Sequence, residues 1–218
     1  MIGIIIALHS EAKHLIDKLQ DVTQTKITNK PAFVGKLNGK KVVVVVCGIG
    51  KVSSAIATQK VIDTYSPQYI INVGSCGGTN NSVKVKEFYL IDKCIQFDFD
   101  VTEIDNVEIG YIQEYDMRYF PAYTNLKSSL QTATLATADR FSSKEQDILT
   151  VSNCECNVRD MEGGAIAQTC FSNNVPFICI KGISDVHGQG SNAQQFKQNL
   201  ESVCLEIPKI VNEIIQQL

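Results

Sequence analysis

The chain has 218 residues, enough to bury a full hydrophobic core as one domain spanning residues 1–218. Hydrophobic residues make up 44% and charged residues 20%, which excludes the composition of a disordered chain. The formal charge is -3, so there is no basic surplus to neutralise a phosphate backbone, and nucleic acid is not an expected partner.

The first apolar run, Ile2–Leu8, reads as a strand and stops at His9-Ser10-Glu11. It is too short to span a bilayer and lacks the basic lead of a signal peptide, so a soluble, cytoplasmic protein with no membrane partner is expected. Further Val- and Ile-rich runs follow at Lys41–Cys47, Tyr69–Val73, Phe88–Ile95, Thr132–Thr137 and Pro176–Ile183. Continuous runs of this length suit strands covered on both faces. Between them, Val52, Ala55, Ile56 and Ile62 have helical spacing. Phe196, Leu200, Val203, Cys204, Ile207, Val211, Ile214 and Leu218 extend the same spacing over a long C-terminal helix. Pro208 removes one backbone donor there, and a kink is expected at that point. The alternation of elements predicts an α/β fold with helices on both faces of one sheet.

The eight cysteines sit mostly inside apolar runs, where thiols behave as small hydrophobes, so no disulfide framework is expected. Cys154 and Cys156 are too close in sequence for the usual zinc spacing, and no metal or cofactor is expected.

Two glycine-bearing turns are predicted after strands, Cys47-Gly48-Ile49-Gly50-Lys51 and Gly74-Ser75-Cys76-Gly77-Gly78. Glycine there lets a ligand approach the backbone, although tight turn geometry alone would also account for it. Neither segment completes a dinucleotide fingerprint or a P-loop. Three acids share the same predicted edge: Glu11 after the first strand, Glu162 at the start of a helix, and Asp185 after the run ending at Ser184. Each has a plain alternative as a helix-start or turn residue. Their convergence beside two glycine segments points to a site, in which carboxylates of different environment divide acid and base roles.

Gly48-Ile49-Gly50-Lys51, Ile71-Asn72-Val73-Gly74-Ser75-Cys76-Gly77-Gly78, Asp160-Met161-Glu162-Gly163 and Ile183-Ser184-Asp185 stand in the order and approximate spacing of a known family. Over residues 1 to about 210 the chain resembles the 5′-methylthioadenosine/S-adenosylhomocysteine nucleosidases of the nucleoside phosphorylase superfamily. The resemblance implies a three-layer α/β/α sandwich around a central mixed, largely parallel sheet. It also implies a homodimer that cleaves the bond between adenine and a 5′-thio-substituted ribose, a reaction of methionine salvage.

By position, Asp185 resembles the family's general acid toward adenine N7, steadied by Ser184, and Glu11 resembles the residue that activates water. Glu162 and Met161 resemble the group that holds the ribose hydroxyls, Phe141 the aromatic that stacks on adenine, and Ser75 and Gly77 belong to the substrate-binding segment. Lys181 stands where many relatives carry an arginine that helps position the water, and lysine lacks that residue's planar fork. Gln96-Phe97-Asp98-Phe99-Asp100 replaces a stretch that often carries a histidine-aspartate pair. Residues Tyr111, Met117, Tyr119 and Phe120 fall where relatives donate apolar residues across the dimer, although ordinary packing would also account for them.

Two other functions share the fold. A phosphorylase of this superfamily commonly has arginine where Asn72 stands and a glycine-rich phosphate loop where this chain has Leu8-His9-Ser10-Glu11; a phosphate dianion calls for cations, and Glu11 would repel it. A non-catalytic nucleoside-binding or storage protein is the other alternative, since fold does not establish function. Retention of Glu11, Glu162 and Asp185 together argues against it.

Overall fold

A computed structural model describes residues 1–218. In chain order the elements are β1 (Ile2–Ile6), α1 (His9–Ile16), β2 (Gln20–Ile27), β3 (Lys30–Leu37), β4 (Lys40–Val46), α2 (Lys51–Tyr65), β5 (Tyr69–Gly78) and β6 (Phe88–Gln96). A short 3-10 turn at Gln113–Tyr115 precedes β7 (Phe120–Pro121), β8 (Gln131–Thr137), α3 (Glu145–Asn153), β9 (Val158–Asp160), α4 (Gly163–Ser172), β10 (Phe177–Val186) and α5 (Asn192–Ile215). Every apolar run expected as a strand forms one, with Ala7, Leu8, Cys47 and Pro176 falling just outside the strands.

Strands β4, β1, β5 and β10 lie side by side and parallel. Antiparallel β3 and β2 extend this core on one side. On the other side β10 pairs antiparallel with β6, β6 parallel with β8, β8 parallel with β9, and β9 antiparallel with β5. The pairing therefore returns to β5, and one end of the mixed sheet curls into a closed ring.

Strand alternation divides the apolar runs between two faces. Ile4, Ile6, Val42 and Val44 pack with Ala12 and Leu15 of α1 and Val203, Ile207 and Val211 of α5. Ile5, Val43 and Val45 point the other way, toward Ala57 and Val61 of α2 and Ile166 and Ala167 of α4. Each such buried side chain contributes about 1.5–3 kcal/mol relative to exposure. The result is three layers: α1 and α5, the sheet, then α2 and α4. Helix α5 runs unbroken through Pro208.

Two sequence expectations change. Gly74–Gly78 is not a turn; it is the second half of β5, paired with β10 and β9. The sequence also hides β2 and β3, because β2 is largely exposed and polar and carries no apolar run.

Candidate active site

Because β1, β5 and β10 are parallel, their C-terminal ends open at one edge, where ligands gather in α/β sheets. A cavity of about 400 Å³ lies there. Glu11, Ser75, Gly77, Phe141, Met161, Glu162, Lys181, Ser184 and Asp185 all line it; Tyr111, Met117, Tyr119 and Phe120 do not, and Phe120 is buried in the protomer's own core.

Glu11 stands in the first turn of α1, buried at 2% exposure. One carboxylate oxygen accepts from the Ser75 N–H and lies at hydrogen-bond distance from the Ser75 hydroxyl, both at 2.7 Å; the other accepts from the Leu8 N–H at 3.1 Å. No ion pair involves Glu11. Gly74 leaves the room it occupies, since a Cβ there would come within 3.1 Å of its carboxylate.

Glu162 stands at the N-terminal boundary of α4, and its carboxylate accepts from the Gly50 N–H at 2.9 Å without capping the helix. Gly48 and Gly50 both have positive φ, 84° and 99°, so this segment does demand glycine. Burial, with the Asp160 carboxylate adding to it, pushes Glu162 from its ordinary 4.5 up to about 7; Lys181 and the Gly50 amide pull the other way. Burial is the largest single influence on Lys181 and works against its charge, but Asp160 at 2.8 Å, with Cys179 and Glu162, together outweigh it, and the ammonium is held well above its ordinary range. Asp160 accepts in addition from the Thr137 hydroxyl at 2.5 Å and the Gly163 N–H at 2.8 Å.

Asp185 is aimed by a β-bulge, for Ile183 pairs with Cys76 and Asp185 with Gly77, leaving Ser184 as the extra residue. Its Oδ1 lies 2.8 Å from the Ser184 hydroxyl, which is also 3.0 Å from the Cys76 carbonyl. Its Oδ2 accepts from Arg159 at 2.9 Å and from Asn192 at 2.8 Å. At the mouth, half-exposed Phe141 meets Phe196 edge to face with ring centroids 6.1 Å apart.

The Gln96–Asp100 segment acts as a brace. Asp98 pairs with Lys51 at 2.6 Å and accepts from the Asp139 N–H, while Asp139 accepts from the Lys51 N–H at the start of α2. Asn72 donates to the Ile5 carbonyl at 2.9 Å, tying β5 to β1.

The Phosphorylase superfamily profile matches residues 1–216. A 5′-methylthioadenosine/S-adenosylhomocysteine nucleosidase of Geobacillus sp. (strain WCH70) is 31% identical, over 100% of this chain and 98% of its own. The chain belongs to the 5′-methylthioadenosine/S-adenosylhomocysteine nucleosidase family.

Among solved structures of the nucleosidase family, the Colwellia psychrerythraea 34H protein in complex with adenine superposes with a TM-score of 0.91 at 31% identity, covering 100% of this chain and 95% of that one. The Neisseria meningitidis nucleosidase in complex with methylthio-immucillin-A gives 0.91 at 25% identity, covering 100% and 99%. In this member of the nucleosidase family, the cavity residues that sequence reasoning missed are Arg159, Asp160, Ala193, Phe196 and Lys197. Asp160 sat inside a quoted motif without a role, and Arg159 directly precedes it.

Proposed function

We propose that residues 1–218 act as one domain that hydrolyses the N-glycosidic bond of 5′-methylthioadenosine and S-adenosylhomocysteine, releasing adenine and the 5′-thioribose. The observation that carries this reading is the convergence of Glu11, Glu162 and Asp185 on one cavity, with Glu11 bound only by neutral donors. Departure of the base builds positive charge on the ribose, so carboxylates around the ring bind the transition state more strongly than the ground state. Water attacks C1′ and gives its proton to Glu11. The C1′–N9 bond breaks, the electron pair moves into adenine, and N7 takes the proton that Asp185 in its acid form carries on Oδ1; Asp185 is then reprotonated from solvent and Glu11 returns its proton there, which balances the cycle. Glu162 and Met161 hold the ribose hydroxyls, and Phe141 stacks on the base.

A phosphate nucleophile would need cationic partners. The two buried cations of the cavity, Lys181 and Arg159, are engaged by Asp160 and Asp185, and Asn72 is spent on the Ile5 carbonyl. Adenine release should therefore proceed in phosphate-free buffer and not accelerate when phosphate is added. Glu11→Gln should cost about 10²-fold or more in turnover with binding retained. A rate proportional to phosphate, with ribose 1-phosphate accumulating, would replace hydrolysis by phosphorolysis.

The protein functions as a homodimer in the cytoplasm, within methionine salvage or the clearance of inhibitory thionucleosides. Support for the dimer comes from exposed apolar side chains beside the cavity: Ile49 in the segment before α2, Val52 and Ile56 one turn apart on α2, with Phe99 and Ile104 also exposed. Light scattering should give about twice 24.0 kDa. No helix is long and apolar enough to cross a membrane.

A further inference from the structure

Arg159 is a buried cation at 4% exposure. Its Nε donates to the Ser142 carbonyl, its Nη1 to the Gly78 carbonyl, and its Nη2 to Asp185 Oδ2 at 2.9 Å. The guanidinium lies flat against Gly77, where an added Cβ would come within 2.6 Å of its Cζ. Gly77 is thus the floor on which the cation rests. A buried ion pair is costly to desolvate, and an apolar filling would often be at least as stable, so its presence beside a reacting carboxylate calls for a role.

The hydrogen bonds supply one. Asp185 Oδ2 receives Arg159 and Asn192 together, which uses both of its in-plane acceptor sites. Oδ1 meets only the Ser184 hydroxyl among protein groups and keeps one site for a ligand. Two donors on one oxygen fix the rotation of the carboxylate about its last bond. We propose that Arg159 is a positioning residue that pins Asp185 Oδ2 and turns Oδ1 alone toward the leaving base. Asp185 then meets the purine through a single oxygen of fixed direction. The assignment rests on the reading of Asp185 as the group that assists base departure.

A double-mutant cycle tests it. Arg159→Met should lower kcat for adenine release about tenfold or more while KM changes less than about threefold, because orientation matters most in the transition state. In an Asp185→Asn background the same substitution should change kcat by less than about twofold, since a residue acting through Asp185 has nothing left to act on. Arg159→Lys, which keeps the charge and loses the fork, should fall between wild type and Arg159→Met. Gly77→Ala, which displaces the guanidinium from the other side, should reproduce the loss and the same dependence on Asp185. A 5-methylthioribosyl substrate whose leaving group is 4-nitrophenolate needs no proton on departure, and Arg159→Met and Arg159→Lys should cleave it within about threefold of wild type.

Equal losses on both leaving groups, undiminished adenine release in Arg159→Met, or full additivity with Asp185→Asn would each overturn the proposal. Should Arg159→Met fail to fold, Arg159→Lys and Gly77→Ala carry the cycle with the same outcomes. Asp185→Asn alone separates the two readings: unchanged adenine release there would remove the role of Asp185 itself, whereas a large loss there with a silent Arg159 removes only the positioning role.

Discussion

Asp185 and Glu162 line the same cavity in opposite electrostatic settings. Asp185 is held by a guanidinium, an amide and a hydroxyl. Glu162 has one backbone donor and a second carboxylate, Asp160, close enough to add to the cost of its charge. Asp185 is therefore a carboxyl fixed in direction by its partners, whereas Glu162 is a buried carboxyl poised near neutrality. Two acids that look alike in sequence stand in different environments, the condition under which carboxylates can divide acid and base roles.

The comparison breaks most visibly if the ion pair below Glu162 is removed. Lys181→Met leaves Asp160 buried without its cation, and loss of one partner of a buried pair costs about 3–5 kcal/mol. Thermal and denaturant unfolding should show that loss; an unchanged midpoint would mean that the Thr137 and Gly163 donors suffice for Asp160.

A slightly smaller effect concerns pH. Glu162 has a folded-state pKa raised above its unfolded value, so it costs nothing below pH 4.5, and its penalty grows as pH rises toward about 7. The full penalty is about 3 kcal/mol from the size of that displacement. The stability difference between Glu162→Gln and the parent should therefore widen in favour of the variant between pH 4.5 and about 7 and level off above. A flat difference across that window in unfolding midpoints would return Glu162 to the behaviour of an ordinary carboxylate.

Asp185→Asn probes the other end. Folding and most of the substrate affinity should survive while turnover falls about 10²-fold, because the amide keeps the shape and cannot deliver a proton. Near-normal kcat in the purified variant would reject the assignment. The smallest effect belongs to the mouth: Phe141→Ala should raise KM a few-fold with kcat nearly unchanged, since stacking of about 0.5–1.5 kcal/mol is made equally in ground and transition states. A loss confined to kcat would give Phe141 a different task.

How far the sequence carries the reader differs from residue to residue. The Val and Ile runs were legible as strands because burial on both faces removes polar alternation, and the cavity acids were legible because short motifs hold them at strand ends. Strand β2 was hidden by its polarity and β3 by the Pro31 and Gly35 that break up its apolar stretch, although Asn38-Gly39, with φ of 51° and 76°, is a strong hairpin signal between β3 and β4. Gly74 and Gly77 looked like turn glycines. Inside β5 they make room instead for Glu11 and for Arg159, partners far away in the chain. Arg159 and Asp160 stayed silent for the same reason: an ion pair becomes meaningful only when the fold supplies the other half.

The closed ring of strands makes β5 a shared hinge-pin. Its first half pairs with β1 and β10 and its second with β10 and β9. The carboxylate of Glu11 hangs on its Ser75, Arg159 rests on its Gly77, and Asp185 is registered against it through β10. Amides of β5 engaged in this pairing should be released to solvent exchange only by global unfolding. Local fraying elsewhere would then leave catalytic alignment intact, and heat inactivation should follow one cooperative transition, with no sequence of partially active states.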